Sequence, residues 1–235
     1  MARITAVIPA LDEEESIGDV VRALLNGGIG HVVVADNGSR DHTAAVAAAA
    51  GAHVTYEPRR GYGSACLAAL AAVPVEAAAV VFCDADGADD LDRLTALIAP
   101  VLSGQADLVI GSRVLGGAEP GALSPPQRAG NIVAACLLRL LYRARVTDLG
   151  PFRCVSATAL RRLRMRDRAF GWTTEMQAKA YRLGLRVREV PVRARRRRGG
   201  QSKISGTLLG VCRAGCGILG TVVRCRVERL ERRPV

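Results

Sequence analysis

The sequence has few aromatic residues and no long uncharged apolar segment. Only 3% of its 235 residues are Phe, Trp or Tyr, too few for the stacking platforms that bind single-stranded nucleic acids. No stretch of about 18 residues is both apolar and uncharged, so a membrane-spanning helix is not expected. The N-terminus reaches a cluster of acids after one short apolar run, unlike a signal peptide. We therefore expect a cytoplasmic protein, either soluble or peripheral at the inner face of the membrane.

The cysteines and histidines do not form a recognisable metal or disulfide pattern. Seven cysteines are an odd number without a Cys-x-x-Cys pair, and the three histidines lie apart from them. Zinc sites and disulfide frameworks usually show regular spacings of these residues. Apolar core filler in a reducing compartment is the better interpretation of the cysteines.

The charges are divided unequally between the two halves of the chain. Residues 1–120 contain seven arginines and 16 acids, a balance of −9. Residues 121–235 contain 26 lysines and arginines and six acids, a balance of +20. This asymmetry suggests carboxylates that bind a cation in the first half, and a basic region that faces phosphates or an anionic membrane in the second.

Short apolar runs alternate with helical patterns in the first half. The runs that predict strands cover residues 4–8, 31–35, 54–56, 78–83 and 107–110. This alternation predicts an α/β fold with a mostly parallel central sheet flanked by helices. Later segments predict a helix over residues 128–143, a loop and then a strand over 147–156, a helix over 173–183 and a strand over 186–192.

The end of the chain is basic. Residues 193–200 contain an arginine run that either contacts phosphates or a membrane or is a solvated loop. Residues 206–224 have a weak apolar pattern with five glycines, flanked by arginines. We therefore divide the chain into a domain over 1–205 and a basic helical extension over 206–235. The extension either lies in a membrane interface, which we favour slightly, or packs back on the domain.

Polar residues follow all five predicted strands, at the sheet edge where parallel sheets bind ligands. The sharpest motif is Asp84-Ala85-Asp86, directly after the fourth strand. Because side chains alternate along an extended chain, its two carboxylates point the same way. Such a pair suits Mg²⁺ or Mn²⁺ bound together with phosphate. Solvated acids in a turn are the alternative for the motif alone, but its position favours a metal site.

Two other loops carry candidate donor ligands. Asp36, at the end of the second strand, either accepts hydrogen bonds from a ribose or base or stabilises a turn. Gly61 opens a loop that either starts a helix or contacts a phosphate. Neither a GxGxxG fingerprint after the first strand nor a P-loop is present.

Eight segments occur in an order that resembles a known family. They are VIPALDEEESIG, VVVADNGSRDHT, RRGYGSA, FCDADGADD, VIGSR, TDLGPFR, EMQAKAYRLGLRVREVPV and GGQSKIS. Over roughly residues 3–205 the chain resembles a family 2 glycosyltransferase, most similar to the dolichol- or polyprenyl-phosphate mannose or glucose synthase branch. The resemblance implies a GT-A fold with Rossmann-like nucleotide-sugar binding.

The resemblance also implies roles for individual residues. It places donor binding at Pro9, Leu11, Glu13 and Asp36, to which we add Gly61, Asp84 and Ala85, and it places a metal ion on Asp84 and Asp86. Two positions depart from the family pattern: Asp12 stands where Asn is usual, and Ala88 stands where the lipid-phosphate synthases commonly have a metal-binding Gln. Asp89 or water would replace that Gln.

The chemistry of glycosyl transfer suggests further roles. The leaving diphosphate needs positive charge, which a metal on the catalytic Asp84 and Asp86 supplies. A hydroxyl acceptor needs a general base, for which Glu175 is the candidate. A lipid phosphate is already ionised and needs cations or hydrogen-bond donors instead. Our candidates for binding it are Arg113, Arg128, Arg153, Ser202 and Lys203.

We therefore predict an inverting, metal-dependent transferase that moves a hexose from GDP-mannose or UDP-glucose to a polyprenyl phosphate at an anionic membrane surface. The alternative is transfer to a soluble hydroxyl acceptor. A nucleic-acid-binding protein that uses the basic half is a third hypothesis, but the chain has no recognition motif for nucleic acid. That hypothesis also leaves the acidic loops unexplained.

Overall fold

The computed structural model describes residues 4–198 and 208–227, and its strands form one seven-stranded sheet. The strands are β1 (Ile4–Ala10), β2 (His31–Asp36), β3 (His53–Tyr56), β4 (Ala79–Phe82), β5 (Leu108–Ser112), β6 (Arg153–Ser156) and β7 (Val187–Pro191). Their order across the sheet is β3-β2-β1-β4-β6-β5-β7. Only β6 pairs antiparallel with its neighbours, which confirms the predicted mostly parallel α/β sheet.

Helices connect the strands and continue beyond them. They are α1 (Ile17–Asn26), α2 (Thr43–Ala49), α3 (Tyr62–Ala71), α4 (Leu94–Leu102), α5 (Arg113–Gly116), α6 (Pro125–Tyr142), α7 (Ala157–Leu163), α8 (Trp172–Arg182) and α9 (Leu208–Val227). A short 3₁₀ helix over Leu91–Arg93 leads into α4. The sequence pattern did not predict α5 or α7, which are short.

Apolar side chains cover both faces of the sheet. The helices α1, α2 and α4 pack on one face, through residues such as Ile17, Val21 and Leu97. The helices α3, α7 and α8 pack on the other face, through Cys66, Leu163 and related residues. Because the central strands are buried on both faces, their sequences are continuous apolar runs instead of alternating patterns.

The described part of the C-terminal extension packs against the domain. In α9, Val222 and Cys225 are buried in a third apolar cluster with residues of α6 and α8. The Tyr142 hydroxyl donates a hydrogen bond to the Val222 carbonyl. Of our two alternatives, packing back on the domain therefore describes this part of α9, while the division at residue 205 stays a prediction. Across the ranges 4–198 and 208–227, no helix has the length and apolar character needed to cross a bilayer.

Candidate active site

Three strands bring their C-terminal ends to one edge of the sheet. Pro9 of β1 is in register with Ala35 of β2, and Val7 of β1 with Phe82 of β4. The segments that follow these strands therefore lie side by side. The last residues of these strands and the segments that follow them carry most of the predicted donor and metal ligands: Pro9, Leu11, Glu13, Asp36, Asp84, Ala85 and Asp86.

Two hydrogen bonds hold Asp84. The hydroxyl of Tyr62, in the first turn of α3, donates to its Oδ1 over 3.0 Å, and its own backbone N–H donates to Oδ2 of Asp89 over 2.8 Å. Burial, and then repulsion from the Asp86 carboxylate, raises the pKa of Asp84 to about 7. A cation bound nearby would favour the charged form, so this position suits a carboxylate that binds a cation.

Asp89 belongs to the same acidic group although it lies outside the DxD motif. Burial, and then the charge of Asp84, raises the pKa of the Asp89 carboxyl well above its ordinary value. We expected Asp89 or water to replace the Gln that is missing at Ala88. The carboxylate of Asp89 does lie beside Asp84, with one oxygen bound to the Asp84 amide. Its role as a metal ligand stays a prediction.

Asp86 is buried and is contacted from two sides. Its Oδ1 accepts the backbone N–H of Ala88 over 2.9 Å, and its Oδ2 lies 3.2 Å from Nε of Arg197. Nη2 of the same guanidinium donates to Oε1 of Glu13 over 2.5 Å. One protein cation therefore bridges a predicted metal ligand and a predicted donor ligand.

The donor set at the end of β4 fits a hard divalent cation. Magnesium sites in proteins commonly use one or two carboxylates together with substrate phosphates and water, and Asp84 and Asp86 supply such a carboxylate pair. Among the residues that the structure describes, no group of three or more His, Cys, Asp and Glu side chains is arranged to hold a metal ion. A metal ion at this pair would therefore need further ligands, such as phosphate oxygens of a nucleotide or water, and the metal role of Asp84 and Asp86 stays a prediction.

The loop after β1 explains one departure from the family pattern. Asp12 has a φ of +50°, a backbone conformation that Asn and Asp adopt more readily than most other residues. Its Oδ1 accepts the Arg40 N–H over 2.8 Å, and its own N–H donates to Ser39 over 2.9 Å. An Asp in place of Asn therefore preserves the shape of this loop.

The loop after β2 shows the turn contact that we expected of Asp36, while its predicted role in donor binding stays a prediction. Asp36 is buried and accepts the Ser39 N–H over 3.1 Å, as a turn residue does. Its neighbour Asn37 joins this loop to the loop after β3, since its Oδ1 accepts the Gly61 N–H over 2.8 Å. We had interpreted Asn37 only as part of a turn. The signal that could have found this role is an amide side chain directly after a strand end.

Gly61 and its neighbours pack against protein atoms. The N–H groups of Gly63 and Ser64 donate to the carbonyls of Ala169 and Arg168, each over 3.1 Å. A Cβ at Gly61 would lie 2.1 Å from the Arg168 carbonyl oxygen. The start of α3 is therefore occupied by the loop before α8, and Gly61 fits a helix start, while its predicted phosphate contact stays untested.

Arg113 lies at the start of α5 and forms a two-pronged ion pair with Asp148. Its Nε and Nη2 donate to the two carboxylate oxygens over 2.8 and 2.7 Å. Burial alone would raise the pKa of Asp148, but the hydrogen bonds and charge of Arg113 outweigh it and hold that pKa below its ordinary value. The Arg113 side chain is still 23% exposed, and its contact with an acceptor phosphate stays a prediction.

The structure corrects the role that we predicted for Arg153. Its side chain is fully buried at the start of β6 and donates to the carbonyls of Thr173, Leu149 and Gly150. Burial lowers the pKa of its guanidinium to about 10. Arg153 therefore ties loops together inside the protein instead of facing an acceptor.

Glu175 also occupies a structural position. It is 1% exposed, and its Oε1 lies 2.7 Å from Nζ of the equally buried Lys179. Its carboxylate accepts the backbone N–H groups of Arg166 and Asp167. A general base must reach the acceptor's proton, and a carboxylate engaged in this way is not placed to do so.

The remaining predicted acceptor ligands differ in position. Arg128 lies exposed in the first turn of α6, with its Nε 3.4 Å from the Leu123 carbonyl oxygen. Ser202 and Lys203 lie outside the described residues.

Residues 193–198, which we call the arginine strap, lie along the loop after β4. The N–H groups of Arg195 and Arg198 donate to the carbonyls of Ala88 and Asp86 over 3.0 and 3.1 Å. The strap is thus attached through its backbone to the segment that carries the DxD motif.

Three side chains of the strap, those of Arg195, Arg197 and Arg198, pair with acids of the first half. Arg195 lies 2.8 Å from Asp90 and 2.5 Å from Asp92, and Arg197 contacts Glu13 and Asp86 as described above. The sequence shows the arginine run but not these partners, because they lie about a hundred or more residues away. The acidic first half and the basic second half therefore meet at this edge of the sheet.

Comparisons with known proteins agree on the family. Residues 5–168 match the sequence model described as Glycosyl transferase family 2. An uncharacterized glycosyltransferase of Mycobacterium tuberculosis is 41% identical over 209 residues, which cover 88% of this chain and 92% of that protein. The UDP-N-acetylglucosamine–dolichyl-phosphate N-acetylglucosaminyltransferase of Methanococcus voltae is 26% identical over 212 residues, 81% of this chain and 84% of that protein.

Solved structures share the fold. The crystal structure of glucosyl-3-phosphoglycerate synthase from Mycobacterium tuberculosis in complex with phosphoglyceric acid has a TM-score of 0.76 and 26% identity, and the match covers 97% of this chain and 81% of that one. The same enzyme in complex with Mn²⁺, UDP-glucose and phosphoglyceric acid has a TM-score of 0.76 and 25% identity, with the same coverage.

Proposed function

Because the chain belongs to glycosyl transferase family 2, we propose that it transfers a hexose from a uridine diphosphate sugar, with a divalent metal ion, to an acceptor that carries a phosphate group. The observation that carries this proposal is the acidic edge after β4, where Asp84 and Asp86 directly follow the strand and Arg197 connects Asp86 to Glu13. The choice of uridine follows from the UDP-glucose complex of the similar synthase and from the name of the Methanococcus relative.

The residues at this edge have distinct tasks in the proposed reaction. Mg²⁺ or Mn²⁺ held by Asp84 and Asp86 would supply the Lewis acid that neutralises the leaving diphosphate. Glu13 and Asp36 would accept hydrogen bonds from donor hydroxyls or the base. The acceptor would attack the anomeric carbon from the face opposite the diphosphate, which inverts the configuration. Arg113 and Arg128 would bind the acceptor phosphate.

A small soluble acceptor has the stronger support. The similar synthase is bound to phosphoglyceric acid in its crystal structure, and this chain places Arg113 and the exposed Arg128 after β5 and at the start of α6. We therefore propose a small phosphorylated hydroxy acid as the first candidate. The hydroxyl proton would leave to a group other than Glu175, which is engaged in the interior.

One surface favours a polyprenyl phosphate as the second candidate. On α6, Ile132, Val133 and Leu140 are 61%, 48% and 77% exposed, and the helix contains no Asp or Glu. Exposed Arg128 and Arg139 flank these apolar residues. An apolar face bordered by arginines fits the interface of an anionic membrane, and a phosphate acceptor would need no general base.

The donor is tested by calorimetric titration of the full chain with UDP-glucose, UDP-N-acetylglucosamine and GDP-mannose, each with and without Mn²⁺. We expect one UDP-sugar to bind only with the metal, and Asp86→Asn to lose that binding while remaining folded. Equal binding to Asp86→Asn would overturn the metal site, and a preference for GDP-mannose would overturn the choice of uridine.

The acceptor is tested with that donor and two acceptors, 3-phosphoglycerate in solution and a polyprenyl phosphate in anionic vesicles. Turnover of 3-phosphoglycerate alone would establish the first candidate. Turnover of the lipid, lost in Ile132→Asn/Leu140→Asn but not in Val75→Asn, which changes an exposed apolar residue outside α6, would establish the second. Hydrolysis of the donor with neither acceptor would contradict both.

A further inference from the structure

One cation of the protein lies where a metal ion is expected to act. The guanidinium of Arg197 is 2.5 Å from Glu13 and 3.2 Å from Asp86. Its side chain is about 29% exposed, so it is neither a core residue nor a freely solvated one. Arg197 therefore neutralises the same carboxylates that a donor and its metal ion would use.

We propose that Arg197 is a placeholder cation, which occupies Asp86 in the donor-free protein and moves to the diphosphate when the donor and metal bind. This inference rests on the function proposed above. It predicts that Mn²⁺ alone binds weakly, because the ion must displace a guanidinium. It also predicts that Mn²⁺ with a nucleoside diphosphate binds well, because the diphosphate offers the displaced guanidinium a two-pronged partner.

The two contacts of Arg197 differ in a way that permits this exchange. The contact with Glu13 through Nη2 is a short hydrogen bond. The contact with Asp86 through Nε lies within ion-pair distance but lacks the alignment of a hydrogen bond. Asp86 can therefore be released by a rotation of the side chain while the bond to Glu13 is kept.

The backbone of the strap does not need to move for this exchange. Arg195 is fixed by Asp90 and by the Ala88 carbonyl, and Arg198 is fixed by its N–H bond to the Asp86 carbonyl. These attachments flank Arg197 on both sides, so its Cα stays beside the site. The motion is confined to one long side chain with several rotatable bonds.

The test measures free Mn²⁺ by its electron paramagnetic resonance signal, with the full chain and no donor. We expect Arg197→Gln to bind Mn²⁺ roughly three- to tenfold more tightly than the unmodified protein, because an ion pair of this exposure is removed. With UDP present, the unmodified protein should bind Mn²⁺ more tightly than Arg197→Gln does. The variant should also bind UDP at least about tenfold more weakly than the unmodified protein. Arg197→Lys keeps the charge, so its affinity for Mn²⁺ in the absence of donor should be close to that of the unmodified protein.

The matched control is Arg196→Gln. Arg196 is adjacent in the strap and loses the same charge, but it contacts Glu119 and the Pro120 carbonyl instead of the acidic edge. If Arg196→Gln and Arg197→Gln bound Mn²⁺ with equal affinity, the placeholder role of Arg197 would be contradicted, but the proposed function would not be. If the unmodified protein binds no Mn²⁺ even with UDP, the proposed function and the placeholder fail together.

Discussion

At the scale of single residues, close approach of the backbone determines what the start of α3 can tolerate. A Cβ on Gly63 would lie 2.1 Å from the Asp167 carbonyl oxygen, a distance that no real contact reaches. Tyr62, the preceding residue, holds Asp84 through its hydroxyl. The packing of α3 on the loop before α8 therefore also positions the first acid of the DxD motif.

We expect Gly63→Ala to lower the free energy of unfolding by about 3 kcal/mol, because the new methyl group must displace backbone. Gly130→Ala is the matched control, since Gly130 is also helical but has no atom within 4 Å of a Cβ. There the gain in helix propensity should stabilise the protein by up to about 1 kcal/mol. Urea unfolding measures both, and equal effects would contradict the packing described for α3.

Single residues also show where sequence reasoning ended. The acids after β1, β2 and β4 were predictable, because a polar residue after an apolar strand lies at a known edge of the sheet. The burial of Arg153 and Glu175 was not, because it depends on loops that pack on them from other parts of the chain. A charged residue in the basic second half of the chain has no local sequence pattern that distinguishes burial from exposure.

At the scale of elements, ion pairs attach the loops to the helices. Glu175 and Lys179 lie one turn apart on α8 and bind the loop before it through Arg166, Asp167 and the Arg164 carbonyl. This loop in turn accepts the first amides of α3. A substitution in the Glu175–Lys179 pair is therefore expected to affect the acidic edge through the loop before α8 and the start of α3.

Glu175→Gln should destabilise the protein by about 3 kcal/mol, because it leaves the buried Lys179 without a counter-charge. Turnover by the folded variant should stay within about fivefold of the unmodified enzyme, since the group is positional and not a general base. Thermal unfolding and the pH profile of kcat check this. If folded Glu175→Gln lost more than a hundredfold in activity, Glu175 would again be the candidate for the general base.

The pair of Arg113 and Asp148 connects α5 to the loop before β6 and should make stability depend on pH. Because the pKa of Asp148 is held below its ordinary 3.8, its contribution is complete above that value and is lost as the pH falls through the lower folded pKa. Asp148→Asn should therefore cost about 2–4 kcal/mol at pH 7. The difference in unfolding free energy between Asp148→Asn and the unmodified protein should begin to narrow as the pH falls below 3.8.

Urea unfolding from pH 3 to pH 8 measures this gap. Asp107→Asn serves as the comparison, because Asp107 pairs with the largely exposed Arg186, whose interaction water and salt screen. At pH 7, Asp107→Asn should lower the free energy of unfolding by less than Asp148→Asn does. If Asp148→Asn lowered the free energy of unfolding by the same amount at pH 3 and at pH 7, the assigned ion pair would be contradicted.

The positions of the strands along the chain were easier to predict than the order and direction in which the strands pair. The predicted runs over residues 4–8, 31–35, 54–56 and 78–83 correspond to β1 to β4, with differences of at most a few residues at their ends. The sequence also indicated a strand within residues 147–156, but not that it inserts antiparallel between β4 and β5. The direction of β6 is set by its pairing with β4 and β5, which lie far away in the sequence and leave no local signal in residues 147–156.

At the scale of the whole molecule, the C-terminal helix joins the domain through a few side chains. Val222 and Cys225 are buried against α6 and α8, and Arg224 pairs with Asp167 over 2.9 Å. Asp167 belongs to the same loop that supports α3. The C-terminal helix is therefore connected to the interior that surrounds the site.

Val222→Ala should lower the free energy of unfolding by about 2 kcal/mol, as expected for a buried branched side chain. The neighbouring Val223 is 56% exposed, and Val223→Ala should change stability by less than about 0.5 kcal/mol. Thermal unfolding of both variants distinguishes a packed helix from a free extension. Equal, small effects would show that α9 leaves the domain in solution.

The bond between Arg197 and Glu13 joins positions that are 184 residues apart. Protein synthesis proceeds from the N-terminus at about 5–20 residues per second, so Glu13 exists for roughly ten to forty seconds before Arg197 is added. Strands β2 to β4, Asp84 and Asp86 are made within that interval. Each new molecule therefore carries Glu13 and Asp86 for some time before Arg197, the cation that pairs with both, has been translated.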